Sequence, residues 1–143
     1  MQRNKYLENI GLKQDEYGTN FISNKLDKRH RRWKKQRKEY GFDDRETWNL
    51  DSMFVQWLYS HLMMYKEKAS EVIDLEFRTF YWKGKDITQL DAIDIILNAS
   101  KDYLLADSKY IDNAISYQER EEIYDNFFDV MTLWGMILPY MWW

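Results

Sequence analysis

Between residues 41 and 68 the sequence reads GFDDRETWNLDSMFVQWLYSHLMMYKEK, and its periodicity constrains the fold more than any other stretch. Leu50, Met53, Phe54, Trp57, Leu58, His61, Leu62 and Tyr65 recur at the i, i+3, i+4, i+7 spacing of one helix face. A helix with such a face must bury it, so the expectation is a long amphipathic helix at the centre of a helical core. Asn49 is placed to cap its start. Asp43 with Glu46 fits a capping box, which predicts a short helical turn ending near Trp48.

The chain has 143 residues, enough for one core. Aromatic residues make up 17% of it, and large rings let a small core hold without covalent bridges. Cysteine is absent, which excludes disulfides, thiolate catalysis and thiolate metal sites and suits a reducing cytosol. The first eleven residues are polar and charged, so no signal peptide is expected there.

Residues 1–24 have weak periodicity and are expected to form a poorly ordered or extended arm. Within it, Tyr6, Leu7, Ile10 and Leu12 fit either a helical turn or an extended strand of chain. A basic lead-in helix is expected over 25–40, with Asn24 as cap and Gly41 as stop. The remainder, 25–143, reads as a single helical domain. Residues 72–82 alternate in the manner of a strand, and 83–85 supply a turn. Either a short β ribbon near 73–87 or an irregular linker follows. Thr88 with Asp91 and Ser116 with Glu119 are capping boxes, predicting helices over 89–105 and 117–134 with a polar connection between them. The first presents Leu90, Ile93, Ile96, Leu97 and Leu104. The second presents Ile123, Tyr124, Phe127, Phe128, Met131 and Trp134, and Gly135 and Pro139 are expected to break it. The fold class is therefore mainly α.

Charge is distributed unevenly. Residues 1–40 hold 12 Lys/Arg against 5 Asp/Glu, and residues 41–143 hold 9 against 19. The basic excess is concentrated in KRHRRWKKQRK at 28–38, where Lys28, Arg29, Arg31, Arg32, Lys34, Lys35, Arg37 and Lys38 surround Trp33. Such a run can contact phosphates, with Trp33 stacking on a base. Equally, it can dock on an acidic protein surface, hold the acidic half of its own chain, or be a solvated face anchored by one tryptophan.

The chain closes on VMTLWGMILPYMWW, uncharged from Val130 onward. That segment is shorter than the roughly 20 apolar residues of a membrane span and is interrupted by Pro139, so no membrane partner is expected. Trp134 and Ile137 read as core. Trp142 and Trp143 either fold back or form an apolar patch for a partner or a second copy. Acidic faces at Asp91/Asp94/Asp102 and at Glu119/Glu121/Glu122/Asp125/Asp129 could imitate a phosphate backbone, or simply be solvated.

Chemistry-bearing motifs are lacking. No phosphate-cradling glycine loop, nucleophile elbow or zinc spacing occurs. His61 reads as a core-edge histidine. Asp43, Asp44, Glu46 and Asp51 lack the spacing of a calcium loop and have capping roles available. The expectation is a non-enzyme with no cofactor and no metal, and of unassigned oligomeric state.

GFDDRETWNLD at 41–51 and LPYMWW at 138–143 resemble a recurring set of small bacteriophage and prophage proteins. In that set a basic segment precedes a GF(S/D)DRxxWxLD-type motif and a helix, and many members end in tryptophan-rich tails. The likeness runs from about Arg32 onward and transfers no residue roles. It implies a phage accessory protein of the host bacterial cytosol that binds and disables host machinery, such as a CRISPR effector nuclease. The implied partner is a host protein or nucleoprotein complex. A nucleic-acid-associated phage module using residues 28–38 is the alternative.

Overall fold

Thr88 and Ser116 each begin a helix as their sequence spacing dictates. Their hydroxyls accept from the backbone N–H of Asp91 and Glu119 at 3.0 and 3.1 Å, and both acidic side chains accept in return from the capping residue's own N–H. A computed structural model describes residues 4–12 and 28–143. The elements are α1 (Lys5–Asn9), α2 (His30–Tyr40), a 3₁₀ turn (Asp44–Thr47), α3 (Leu50–Ala69), β1 (Thr79–Trp82), β2 (Lys85–Thr88), α4 (Gln89–Ile111), α5 (Tyr117–Ile137) and a 3₁₀ turn (Leu138–Tyr140). The fold is mainly α, as the sequence predicts. The chain gathers into two compact units, Met1–Trp57 and Leu58–Trp143, with the boundary inside α3.

In the first unit, Asn4 caps the short α1, and Leu7 is fully buried; the helical alternative for this stretch is the one realised. Residues 1–3 and 13–27 lie outside the described ones, so most of the expected arm, the Asn24 cap and the first turn of the lead-in helix do too. From His30 the basic helix runs to Tyr40 and stops at Gly41, whose φ of 85° is the left-handed conformation glycine adopts without strain.

The second unit is built on α4 and α5. Ala92, Ile93, Ile96, Leu97, Ala99 and Ala106 line the buried side of α4. Phe127, Val130, Leu133 and Ile137 line that of α5, while Phe128, placed in the core by its spacing, is exposed. Tyr103 bridges the pair, with its ring 4.7 Å from that of Phe127 and 4.9 Å from that of Tyr124. Toward the turn between the helices, the Arg120 guanidinium lies 4.6 Å from the Tyr110 ring and 5.2 Å from that of Tyr117. Polar residues 107–109 carry α4 six residues past its expected end at 105, because none of them opposes a helix. Asn113 ends it in the left-handed conformation at φ 56°, and the Ala114 N–H donates to the Lys109 carbonyl at 2.8 Å. Gly135 does not break α5; only Pro139 does, within the closing 3₁₀ turn.

The ribbon exists, but only as four residues on each side. Lys83 and Gly84 both have positive φ, which is the type I′ geometry that matches strand twist. The alternation over 72–78 does not extend it. There the Asp74 side chain accepts from Glu76 N–H at 2.9 Å, and the Asp74 carbonyl accepts from Phe77 N–H at 3.3 Å, folding the chain into a turn.

The central helix forms, but the expected face is corrected. Val55, Leu58, Tyr59, Leu62 and Ala69 are buried, whereas Leu50, Phe54 and Trp57 are 65%, 42% and 47% exposed and His61 is also exposed. Both sets satisfy a helical period, so periodicity alone could not choose between them. Truncating Leu58 to alanine is therefore expected to cost about 2–5 kcal/mol of unfolding free energy. Phe54→Ala should cost well under that, by urea titration. Equal losses would restore the face that the sequence suggested.

Candidate functional site

Every side chain of the basic run can be placed by the angle it occupies on α2. Arg29, Trp33, Gln36, Arg37 and Tyr40 share one side at the spacing of a helix face, and this side meets the 3₁₀ turn. Asp43 caps that turn by accepting from Arg45 N–H at 3.2 Å, and its carboxylate is 1% exposed. Two guanidinium groups close on it. Arg45 donates through Nε and Nη2 at 2.8 and 2.7 Å, and Arg37 donates through Nε at 2.7 Å. Burial pushes the Asp43 carboxyl up, but the hydrogen bond from Arg45 and the charge of Arg37 outweigh it and hold the group below its ordinary value.

Around this pair the rest of the inner side is fixed. Trp33 is 4% exposed, and its indole Nε1 donates to Asp44 Oδ1 at 2.9 Å. The guanidinium groups of Arg45 and Arg29 lie 4.1 and 4.8 Å from its ring centre. Arg32 reaches Asp44 at 3.0 Å, and Arg37 also donates to Glu46 at 2.9 Å. Glu46 is thus an ion-pair partner rather than the second half of a capping box. The carboxylates of Asp43, Asp44 and Glu46, weighed above as ligands for a hard cation, are held by the chain's own cations.

The basic run is therefore two faces. Arg29, Arg32 and Arg37 are exposed but engaged with Trp33, Asp43, Asp44 or Glu46, and Trp33 stacking on a base is corrected by its burial. Lys28, Arg31, Lys34, Lys35 and Lys38 are exposed and enter no ion pair among the described residues. On a helix turning by about 100° per residue, residues 31, 34, 35 and 38 form one continuous outer face. These side chains present four positive charges within two helical turns, braced from behind by the Asp43 cluster. Sequence reasoning missed Trp48, which is 56% exposed and meets the Trp33 ring edge-on at 6.5 Å. Its place in the 41–51 motif was the available signal.

Trp142 and Trp143, in the other unit, are 68% and 60% exposed. The segment beneath them is pinned: Tyr65 Oη donates to the Trp142 carbonyl at 3.3 Å, and Gln89 Nε2 donates to the Tyr140 carbonyl at 3.4 Å. Arg78 lies over the Tyr140 ring at 4.1 Å. Ile137 is buried as expected, and Trp134 is half-buried. Several groups of the acidic faces are engaged locally: Asp94 with Lys66 at 2.7 Å, Asp129 with Lys83, and Asp91 and Glu119 as caps. No described helix is long and apolar enough to cross a membrane.

Compared with known proteins, the chain matches no family model, no curated protein and no solved structure.

Asp43→Asn keeps the shape of the cluster but leaves Arg45 facing a neutral amide. The expected loss is about 3–5 kcal/mol, the usual cost of stranding a buried charge. It is followed through the Trp33 indole N–H resonance during urea unfolding. Because the folded carboxyl titrates below its ordinary 3.8, its stabilisation is whole above that pH and is lost as pH falls through the lower folded value. The asparagine variant should lack that acid-side slope. A variant within about 0.5 kcal/mol of the parent would contradict the role assigned to Asp43.

Proposed function

We propose that this chain acts by contact alone, as a phage-derived interaction protein that inhibits a host defence complex such as a CRISPR effector nuclease. The observation that carries the binding part of this reading is the outer face of α2. Arg31, Lys34, Lys35 and Lys38 enter no ion pair among the described residues, and the helix bearing them is held in place by a buried ion-pair cluster. A preset row of cations costs little ordering entropy on docking and steers association with a polyanionic surface. The phage setting and the host target rest on the likeness of residues 41–51 and 138–143 to phage accessory proteins. Such a protein would work in the host cytosol. Trp142 and Trp143, exposed on an anchored segment, are suited to the desolvated centre of a second contact.

The same face supports a second reading, a nucleic-acid-associated phage module. Four cations meeting duplex phosphates would give a slope of log affinity against log salt of roughly −4.

The test is inhibition of guide-loaded CRISPR effector nucleases by the purified chain, with DNA binding by the chain measured alone. Expected is a stoichiometric block of cleavage that Arg31→Ala, Lys34→Ala, Lys35→Ala and Lys38→Ala together relieve, without loss of the Trp33 signal. No block and no complex across a panel of effectors would overturn the inhibitor reading. A duplex-binding slope near −4 that falls by about one for each cation removed would favour the second.

A further inference from the structure

We infer that the outer edge of β1 is a self-association site, where two copies of the chain join through Thr79 and Tyr81 and their ribbons form one continuous antiparallel sheet. The sheet has two strands, so each has one edge that no strand covers among the described residues. The ladder fixes which backbone groups lie on the open edge. Gln89 N–H donates to the Arg78 carbonyl at 2.9 Å, and the register pairs Thr79 with Thr88 and Tyr81 with Asp86. Bonded and non-bonded pairs alternate along an antiparallel ladder. Residues 78, 80 and 82 therefore turn their backbone groups to the β2 side, while Thr79 and Tyr81 point theirs away from it.

The two edges are not alike. On β2 the outward N–H of Thr88 is taken by the Asp91 carboxylate at 3.1 Å, and Lys85 and Asp86 put charge on the strand. Charge and capped backbone groups keep an edge from pairing. β1 reads TFYW and carries neither charge nor proline. Thr79 is exposed and Tyr81 is 68% exposed, while Phe80, on the opposite face, sets its ring 5.7 Å from that of Tyr140. The strand is held from behind and open along its side.

A second copy fits this edge in one register. A twofold axis at Phe80 sets Thr79 opposite Tyr81 of the copy, and these are the residues whose N–H and C=O groups face outward. Each such pair exchanges both bonds. The neighbouring residues agree with the register. Arg78, just before the strand, falls opposite Trp82 of the copy, a cation beside a ring, and no like charges oppose each other. A strand this short makes a small interface, so the dimer is concentration-dependent.

Sedimentation of the full chain over a concentration series tests this, with the Gln89 amide resonance reporting that the ribbon is closed. A monomer–dimer equilibrium is expected. Thr79→Lys with Tyr81→Lys places lysine opposite lysine across the axis and should weaken the dimer about tenfold or more. Thr79→Lys with Tyr81→Glu places lysine opposite glutamate and should dimerise about tenfold more tightly than the double-lysine variant. A parent that stays monomeric up to about 1 mM overturns the proposal. So does a dimer that the double-lysine variant leaves untouched, or equal affinity of the two variants. A monomeric parent that binds a labelled Thr- and Val-rich peptide at this edge also overturns it, in favour of a foreign strand. A second measurement does not depend on those variants. The chain has no cysteine, and residues facing each other across such an axis are close enough for a disulfide. Phe80→Cys should be trapped as a dimer in glutathione buffer, and Asp86→Cys on the other strand should not. Equal trapping of the two contradicts the assignment to β1.

Discussion

A single buried carboxylate, that of Asp43, decides which half of the basic helix is structural and which is available. An unpaired carboxylate at that depth would be costly, and the sequence supplies two arginines to neutralise it. Arg45 comes from the same turn and Arg37 from the middle of α2, so neutralising the charge also ties turn to helix. Once Arg37 faces inward, the helical period fixes everything else. Trp33, one turn earlier, must turn in beside it, and residues 31, 34, 35 and 38 must turn out. The motif GFDDRETW thus reads as a device that folds back on the helix before it. Glycine reverses the chain, the first aspartate receives the arginines, the second receives the Trp33 indole, and the glutamate takes the remaining guanidinium contact.

What was legible in the sequence is what depends on near neighbours. The capping boxes at Thr88 and Ser116 and the stop at Gly41 need only residues within a few positions, and each formed where its spacing placed it; the turn expected over 83–85 formed at 83–84, with Lys85 already in the return strand. Trp33 as an anchor was legible as one option, since it is the large apolar residue in the middle of a charged run. The pairing of Arg37 with Asp43 was not legible, because nothing in a run of eight like charges says which one will face inward. The α3 face was misjudged for a related reason. Aromatic and aliphatic residues occur all round that helix, so weight of hydrophobicity pointed to Phe54 and Trp57 while the buried side includes Gln56 and Ser60. Tertiary packing overrode the pattern there, as it did at Phe128, and the turn at Asp74 overrode the alternation of residues 72–78.

Among the rings that the core does not take, Tyr40 and Phe42 lie beside the end of α2, and Trp142 and Trp143 lie on the tail. In each, neighbouring contacts hold the backbone still, by Gly41 and the Asp43 cluster in one unit and by Tyr65 and Gln89 in the other. An exposed aromatic on a fixed backbone has little freedom left to lose if a partner docks on it.

The most direct measurement of the central claim is arginine-selective labelling of the folded protein with phenylglyoxal, read residue by residue by mass spectrometry. The account predicts rapid modification of Arg31 and strong protection of Arg45, which is 6% exposed, with the protection lost on unfolding. Labelling of Arg45 as fast as Arg31, or protection of Arg31 equal to that of Arg45, would show that the helix faces the other way and that the available cations have been misassigned.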